Sequence, residues 1–519
     1  MLAKTPLFAL SLFLLLLCCQ APAQKTDALP RSLPEQQGVS AAGIINFIDA
    51  TKKSRTEFHS FVFLRHGKVV AEGWWNPYQS GLKHTLYSTS KSFTAAAIGF
   101  AITEHRLHLD DKVISLFPND LPDTVSPNLA ELTVKDVLMM SDGQDPDPTG
   151  KLVKDTNWAR SFLALPMVNR PGTKFLYNSM GTYMLAAIVQ KVTGQKVIDY
   201  LKPRLFEPLG ITGMDWEISP QHINTGGWGL RLKTEDMAKF GQLYLQKGKW
   251  NGKQLLPEEW VEEATTMKIM QDPNAPPAKK DSSDWLQGYC YQMWRCRHNA
   301  FRADGAFGQF IIMMPDEDAV IAITAETPDM QEEINLVWNY LLPSMHEGIL
   351  PADKDADARL HQKLSSLALQ PPPPQTFTKT SLADINSKTF ILQPNEKNIQ
   401  EISFEMKDKL CQVTIKGDTA VYHLHLGEGK WTTGETTRPG PNLLTGAKEH
   451  LVGIPAVKTA GSYDWKDDNT LELVLRYIES PHTETMICHF DGKNISIDVQ
   501  NSFDYGHKKA VLQGTMQHQ

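Results

Sequence analysis

One pattern in the sequence has residue types that could break a carbonyl bond: Ser88-Thr89-Ser90-Lys91, a serine and a lysine three residues apart. On a helix, positions i and i+3 share a face, so the hydroxyl and the amine can meet. A serine hydroxyl is a weak nucleophile and needs a base. Lysine supplies one only where desolvation or a neighbouring cation favours the neutral amine. At a helix N-terminus Ser88 also gains a dipole that favours negative charge on the reacting oxygens. The pattern alone is unspecific, because Ser80-Gly81-Leu82-Lys83 fits it too. The downstream residues separate the two: the Ser88 match opens an Ala-rich, helix-forming stretch through Ile98, and the Ser80 match does not.

The elements that must position these residues are legible on either side. Phe61 to Leu64 and Lys68 to Val70 flank Arg65-His66-Gly67 and read as a β-hairpin, and a second hairpin joins Phe310 to Met314 with Val320 to Ile323. Ile334, Val337, Trp338 and Leu341 fall on one helical stripe. Between the hairpins the chain is more helical: one helix through Tyr183 to Val192 stops at Gly194, and another after Thr234 stops at Gly248. The fold class is therefore α+β, an antiparallel sheet built from both ends of the domain and flanked by helices, with an inserted helical lobe. A cleft between sheet and lobe is the natural site. Ala352 to Gln370 reads as a polar, solvated helix, and Pro371-Pro372-Pro373-Pro374 as a stiff spacer. Beyond it, short alternating strands around Ile402, Leu424, Leu471 and Ile495 predict an all-β sandwich or barrel. That domain could bind carbohydrate, cover the cleft or only stabilise the chain.

Leu86-Tyr87-Ser88-Thr89-Ser90-Lys91-Ser92-Phe93 resembles the nucleophile motif of the serine β-lactamase and penicillin-binding-protein superfamily, especially its class C-like esterase, peptidase and amide-hydrolase branch. Leu107 to Val113 resembles the stretch after that motif's helix, and Tyr177-Asn178-Ser179 the second motif, where the family has Tyr-x-Asn. Ala303-Asp304-Gly305-Ala306 occupies the place of the Lys-Thr-Gly or His-x-Gly strand, and Gly226-Gly227-Trp228-Gly229-Leu230 is also similar. The resemblance runs from about Val39 to Pro343. It implies an acyl-enzyme on Ser88, proton transfer shared by Lys91 and Tyr177, and an oxyanion hole from the N–H groups of Ser88 and Ala306. Ser179, Asp304 and Gly305 would complete the substrate side, with Ser179 bonding Lys91 or substrate.

Two departures bear on substrate. Ala303 offers neither the cation nor the hydroxyl that would hold a substrate carboxylate, and Asp304 would repel an anion if it faced the cleft. This lowers penicillin-type substrates and raises neutral or amine-bearing esters and amides. Arg295, Arg297, His298 and Arg302 could replace the missing cation or be solvated charges on a strand edge. The same departures motivate an alternative, a catalytically silent member that binds peptidoglycan or another ligand. Ser141-Asp142-Gly143 reads as a helix-ending loop, and Trp74 and Trp75 as core rather than pocket. His59, His66, His84 and His105 read as structural or exposed, and His423 and His425 as unpaired by further metal ligands, so neither metal nor cofactor is expected.

The 519 residues, with 52 Lys+Arg against 59 Asp+Glu and 6 Cys, exclude a small disulfide scaffold and give no basic face for nucleic acid. Mean hydropathy of −0.32 excludes a polytopic membrane protein. Lys4, the apolar run Leu7 to Cys19 and Ala21-Pro22-Ala23 read as a cleavable secretory signal, with lipidation at Cys18 or Cys19 as the rival. The expected layout is a signal at 1–23, a hydrolase domain at 24–350, a linker at 351–374 and an all-β domain at 375–519. The chain is expected to be secreted, into a periplasm in which disulfides can form, without a mature transmembrane span, and to act on a small-molecule or peptide ester or amide; no oligomeric state is assigned. Cys290 and Cys296, in an extended run, would lie about 20 Å apart and not pair. Cys411 and Cys488 fit either a disulfide or two buried thiols.

Overall fold

A computed structural model of the chain describes residues 28–373, 385–448 and 455–517. The expected signal segment and the last proline of the spacer lie outside the described residues. The first domain opens with helix α1 (Ala41–Thr51), N-capped by Ser40, and strands β1 (Glu57–Arg65) and β2 (Lys68–Trp74). After the lobe come β3 (Trp294–Arg295), β4 (Phe301–Gly305), β5 (Gln309–Met314) and β6 (Ala319–Glu326). The six strands run antiparallel in the order β2-β1-β6-β5-β4-β3, so the first hairpin meets the last one, with Phe61 facing Ile323.

The near-continuous apolar runs of β1, β5 and β6 arise because both faces of this sheet are covered. Val62, Leu64, Ile311, Met313 and Val320 join the core beneath the lobe, whereas Phe61, Phe63, Phe310, Ile312 and Ile321 join a second core under α1 and the C-terminal helices. Period-two alternation thus sorts residues between two cores rather than between core and water. The lobe contributes α2 (Ser90–Thr103), α3 (Ser179–Thr193) and α4 (Thr234–Leu245). Helix α2 is buried almost all round, as a central helix apolar on every face must be. Helix α4 lies close on the sheet at Gly241, where an added Cβ would meet Val320 Cγ1 at 2.6 Å and Ile311 Cγ2 at 2.7 Å.

Two expectations need correction. The segment after residue 350 forms a helix (Lys354–Ser365), but it is not simply solvated: Ala356 and Leu360 are buried in the second core. The run from Tyr289 is not one strand either. Cys290 N–H donates to Met293 O at 2.8 Å, closing a turn with Gln292 at φ 57°, and only Trp294–Arg295 pairs with the sheet. Gln292 spends its side chain on the Leu138 and Val137 carbonyls, which fixes that turn. All four described cysteines, Cys290, Cys296, Cys411 and Cys488, are buried free thiols.

The C-terminal domain resolves as a barrel. Its strands are β7 (Lys388–Leu392), β8 (Ile399–Lys407), β9 (Leu410–Gly417), β10 (Val421–Glu428), β11 (Thr432–Thr436), β12 (Val457–Asp467), β13 (Thr470–Arg476), β14 (Thr483–Asp491), β15 (Asn494–Asn501) and β16 (Ala510–Met516). Nine of them close in the order β10-β9-β8-β7-β16-β15-β14-β13-β12 through a parallel pairing of β10 with β12, and β11 adds to β12. Phe390, Phe404, Trp465 and Phe490 fill the interior. The barrel sits against the first domain: Arg476 donates twice to Glu57, at 2.5 and 2.9 Å, Tyr78 donates to Ser480 O, and Trp431 to Leu369 O. Among the described residues no helix is long and apolar enough to cross a membrane.

Candidate active site

Ser88 lies in a single 3-10 turn, Tyr87–Thr89, that feeds directly into α2, so Lys91 falls in the first turn of the helix. The turn is pinned from three sides. Thr89 Oγ1 donates to Gln309 O on β5 at 2.7 Å, and Ser90 Oγ accepts from Leu230 N. Gly305 at the end of β4 presses on it so closely that a Cβ would stand 2.1 Å from Leu86 O. The N–H groups of Ser88 and Ala306 therefore belong to two segments in direct contact.

Lys91 is 1% exposed, and its Nζ lies 3.1 Å from Ser88 Oγ, 2.9 Å from Ser179 Oγ and 2.7 Å from Gly227 O. None of these partners is charged. Burial lowers the Lys91 pKa to about 7, only partly opposed by the more distant carboxylates Asp147 and Asp304. Tyr177 bonds Ser88 through its hydroxyl and presents its ring to Nζ at 4.9 Å from the centroid; burial pushes its pKa up. Both groups are thus biased to neutrality.

The second motif divides its labour differently from the expected pattern. Asn178 is the N-cap of α3, its Oδ1 accepting from Met180 N and Gly181 N, while its Nδ2 donates to Asp142 and Gln144. Asp142, from the expected helix-ending loop, is buried and its pKa rises to about 7 through desolvation. Ser179, the next residue, is the one that faces Lys91.

Asp304 does line the cleft, but Arg302 Nη2 holds it at 2.9 Å. Arg302 is itself fully buried, with its guanidinium over Trp285 at 4.3 Å. Arg297 pairs with Asp284 and Arg295 bonds Asn299, so among the described lining residues no arginine replaces the missing cation; Arg302 is internal, whereas Arg295 and Arg297 are half-buried and His298 is exposed. The cleft, about 510 Å³, is walled by Trp228, Trp285, Trp294 and Met330, with Leu443 and Leu444 reaching in from the barrel. Trp75 lies in the core under α1, and Trp74 packs, partly buried, against the core beneath the lobe. His59 and His84 are buried and meet at 3.2 Å, and His423 and His425 are exposed. Among the described residues no group of three His, Cys, Asp or Glu side chains could hold a metal ion.

Sequence reasoning missed the Gly227 carbonyl, the aromatic wall and the two barrel leucines. Gly227 belongs to the Gly226-Gly227-Trp228 motif, whose resemblance to the family gives it no partner. Trp285, Trp294 and Leu443 carry no local signal, since only the fold brings them to Ser88.

The β-lactamase family model matches residues 50–341, more than half of the chain. The chain belongs to the β-lactamase family. It is 24% identical over 328 residues to the 6-aminohexanoate-dimer hydrolase of Paenarthrobacter ureafaciens, covering 59% of this chain and 79% of that protein. It is also 24% identical over 234 residues to an Escherichia coli K12 protein named "Putative D-alanyl-D-alanine carboxypeptidase", covering 39% of this chain and 54% of the other. A solved structure described as "Putative 6-aminohexanoate-dimer hydrolase from Bacillus anthracis" superposes with a TM-score of 0.51 at 23% identity, over 62% of this chain and 89% of that one. The hydrolase class and the β-lactamase-like fold of this family member are thereby given.

Proposed function

We propose that this family member is a secreted serine hydrolase that cleaves an ester or linear amide through an acyl-enzyme on Ser88. The observation that carries the reading is a buried lysine with a pKa near 7 and no charged partner, 3.1 Å from a serine hydroxyl. In the neutral amine, two N–H bonds serve Ser179 Oγ and Gly227 O, which leaves the lone pair for the Ser88 proton. Ser88 Oγ attacks the carbonyl carbon as its proton passes to Lys91, and the oxyanion is held by the N–H groups of Ser88 and Ala306. Tyr177, a neutral phenol bonded to Ser88, relays a proton to the leaving oxygen or nitrogen as the C–O or C–N bond breaks. Water then attacks the acyl-ester, giving its proton to the same pair, and Ser88 leaves reprotonated.

Asp147 on a largely apolar cleft whose described lining includes no lysine or arginine, with Asp304 compensated by Arg302, favours neutral or amine-bearing substrates over anionic β-lactams. The name of the 6-aminohexanoate-dimer hydrolase supports testing linear amides first. The test is a panel of p-nitrophenyl esters, linear amides, D-amino-acid peptides and a chromogenic cephalosporin, run with and without Ser88→Ala. Loss of turnover by several orders of magnitude in Ser88→Ala supports the mechanism. Turnover that survives the substitution refutes it, burst kinetics with any activated ester would exclude a mere binding role, and an absence of turnover across the whole panel would return the protein to one.

A further inference from the structure

The barrel reaches the nucleophile itself. Tyr87, immediately before Ser88, has φ 48°, and Phe307, immediately after Ala306, has φ 67°. Both are left-handed conformations that a bulky side chain adopts only when its surroundings impose it. These are the residues that flank the two oxyanion N–H groups, and both are gripped by the C-terminal domain.

The Tyr87 ring packs on Phe307 at 5.5 Å, and Phe307 packs on His482 at 4.9 Å and Phe503 at 5.5 Å. His482 and Phe503 come from the barrel and complete a four-ring cluster with a 4.6 Å contact of their own. The hydroxyl of Tyr87 meets His482 Nε2 at 2.5 Å and lies 3.5 Å from the Leu443 N–H of the barrel. On the far side, His482 Nδ1 lies 3.4 Å from Glu326 Oε1, while the other Glu326 oxygen accepts from Ser502. A carboxylate beside Nδ1 favours the tautomer with its proton there, which leaves Nε2 as the acceptor for the Tyr87 hydroxyl. His482 and Tyr87 are both buried, so neither can exchange its partner for water.

We infer that His482 is a positioning residue for the hydrolysis: through Tyr87 and Phe307, the barrel sets the backbone that carries both oxyanion donors. The inference rests on the Ser88 mechanism proposed above. It gives the C-terminal domain a share in transition-state stabilisation, because a small rotation of the Tyr87–Ser88 peptide would turn the Ser88 N–H away from the developing charge, and a shift of Phe307 would displace the adjoining Ala306.

The experiment uses the full chain and four variants: Tyr87→Phe, His482→Phe, the double variant, and His482→Gln, whose amide oxygen can still accept from Tyr87. Each is assayed for kcat and KM with a p-nitrophenyl ester, for labelling rate with a fluorophosphonate, and for thermal midpoint. Tyr87→Phe and His482→Phe are each expected to lower kcat and labelling rate about tenfold or more with KM within twofold, and the double variant to fall no further, as coupled partners do. His482→Gln should recover to within about threefold of the parent. Losses that multiply in the double variant, or a kcat within twofold in both singles, overturn the inference. Should the His482 variants not fold, Phe503→Ala removes a half-exposed ring of the same cluster; an unchanged kcat there overturns the inference, and a fall in kcat at constant KM supports it. Labelling that persists in Ser88→Ala refutes the parent mechanism, whereas Ser88-dependent labelling at the parent rate in Tyr87→Phe refutes the barrel's role alone.

Discussion

Replacing Ser179 by aspartate would put a carboxylate where a hydroxyl now accepts from Lys91 Nζ at 2.9 Å. The amine titrates near 7 because burial disfavours its charge and nothing charged touches it. About half of the lysine is then neutral at pH 7, against about one part in 3,000 for an ordinary lysine. A carboxylate within ~4 Å contributes about 4 kcal/mol at an effective dielectric of ~20, which raises the amine by about 3 pKa units. The neutral fraction at pH 7, and with it kcat/KM, should fall about 500-fold in Ser179→Asp and return as pH approaches 10. The isosteric control is Ser179→Asn, which keeps an uncharged acceptor and should leave the acid limb near 7. The assay is the pH profile of kcat/KM for a linear amide or an activated ester between pH 5 and 10. A parent enzyme without an acid limb near 7, or a limb that stays put in Ser179→Asp, would refute Lys91 as the base.

Three further outcomes can be measured. Glu333 is fully buried with neither oxygen hydrogen-bonded, and desolvation holds its pKa well above the usual range, so the folded chain keeps a proton that the unfolded chain loses above about 4.5. Stability should therefore fall with rising pH by up to about 1.4 kcal/mol per unit until the raised pKa is passed, and Glu333→Gln should raise the melting midpoint at pH 8 but not at pH 4.5. Gly305→Ala would thrust a methyl group to 2.1 Å from Leu86 O, and the displaced Ser88 turn should label with a fluorophosphonate at least about tenfold more slowly. Asp304→Asn uncouples the Arg302 charge at the cleft; KM for a carboxylate-bearing substrate should drop about fivefold relative to a neutral ester, and an equal change for both would reject the electrostatic reading.

The parts of this protein that could be read from its sequence are those fixed by local chemistry. The Ser88 and Lys91 pair, the two hairpins, Gly194 as the stop of α3 and the alternating strands of the barrel each follow from spacing within a dozen residues. That β1 and β6 share one sheet could be read from the apolar hairpins at both ends of the domain, but their register could not, because both strands are apolar on both faces. The environment of Lys91 was beyond such reading, since its low pKa depends on what excludes water from a site assembled from α2, α3 and the Gly227 loop. The internal pairing of Arg297 and Arg302 was hidden for a similar reason. Their positions along the strand say nothing about Asp284 and Asp304, which absorb them. Closure of the C-terminal strands into a barrel hinges on one parallel pairing, Leu426 with Gly461, that no alternation pattern encodes.

The pairing of the first hairpin with the last sets a schedule for folding. Phe61 can find Ile323 only after the whole lobe between them exists, so β1, joined to β2 in the first hairpin, must wait with its other edge unpaired while the chain emerges. Loop-closure entropy is smaller once the helical lobe has condensed and shortened the effective tether, so the lobe is the unit to form first and the sheet closes over it. Until then both faces of the first hairpin and the β6-facing edge of β1 stand open, which makes this segment the point of greatest vulnerability to misassembly and the one a holding chaperone would need to shield.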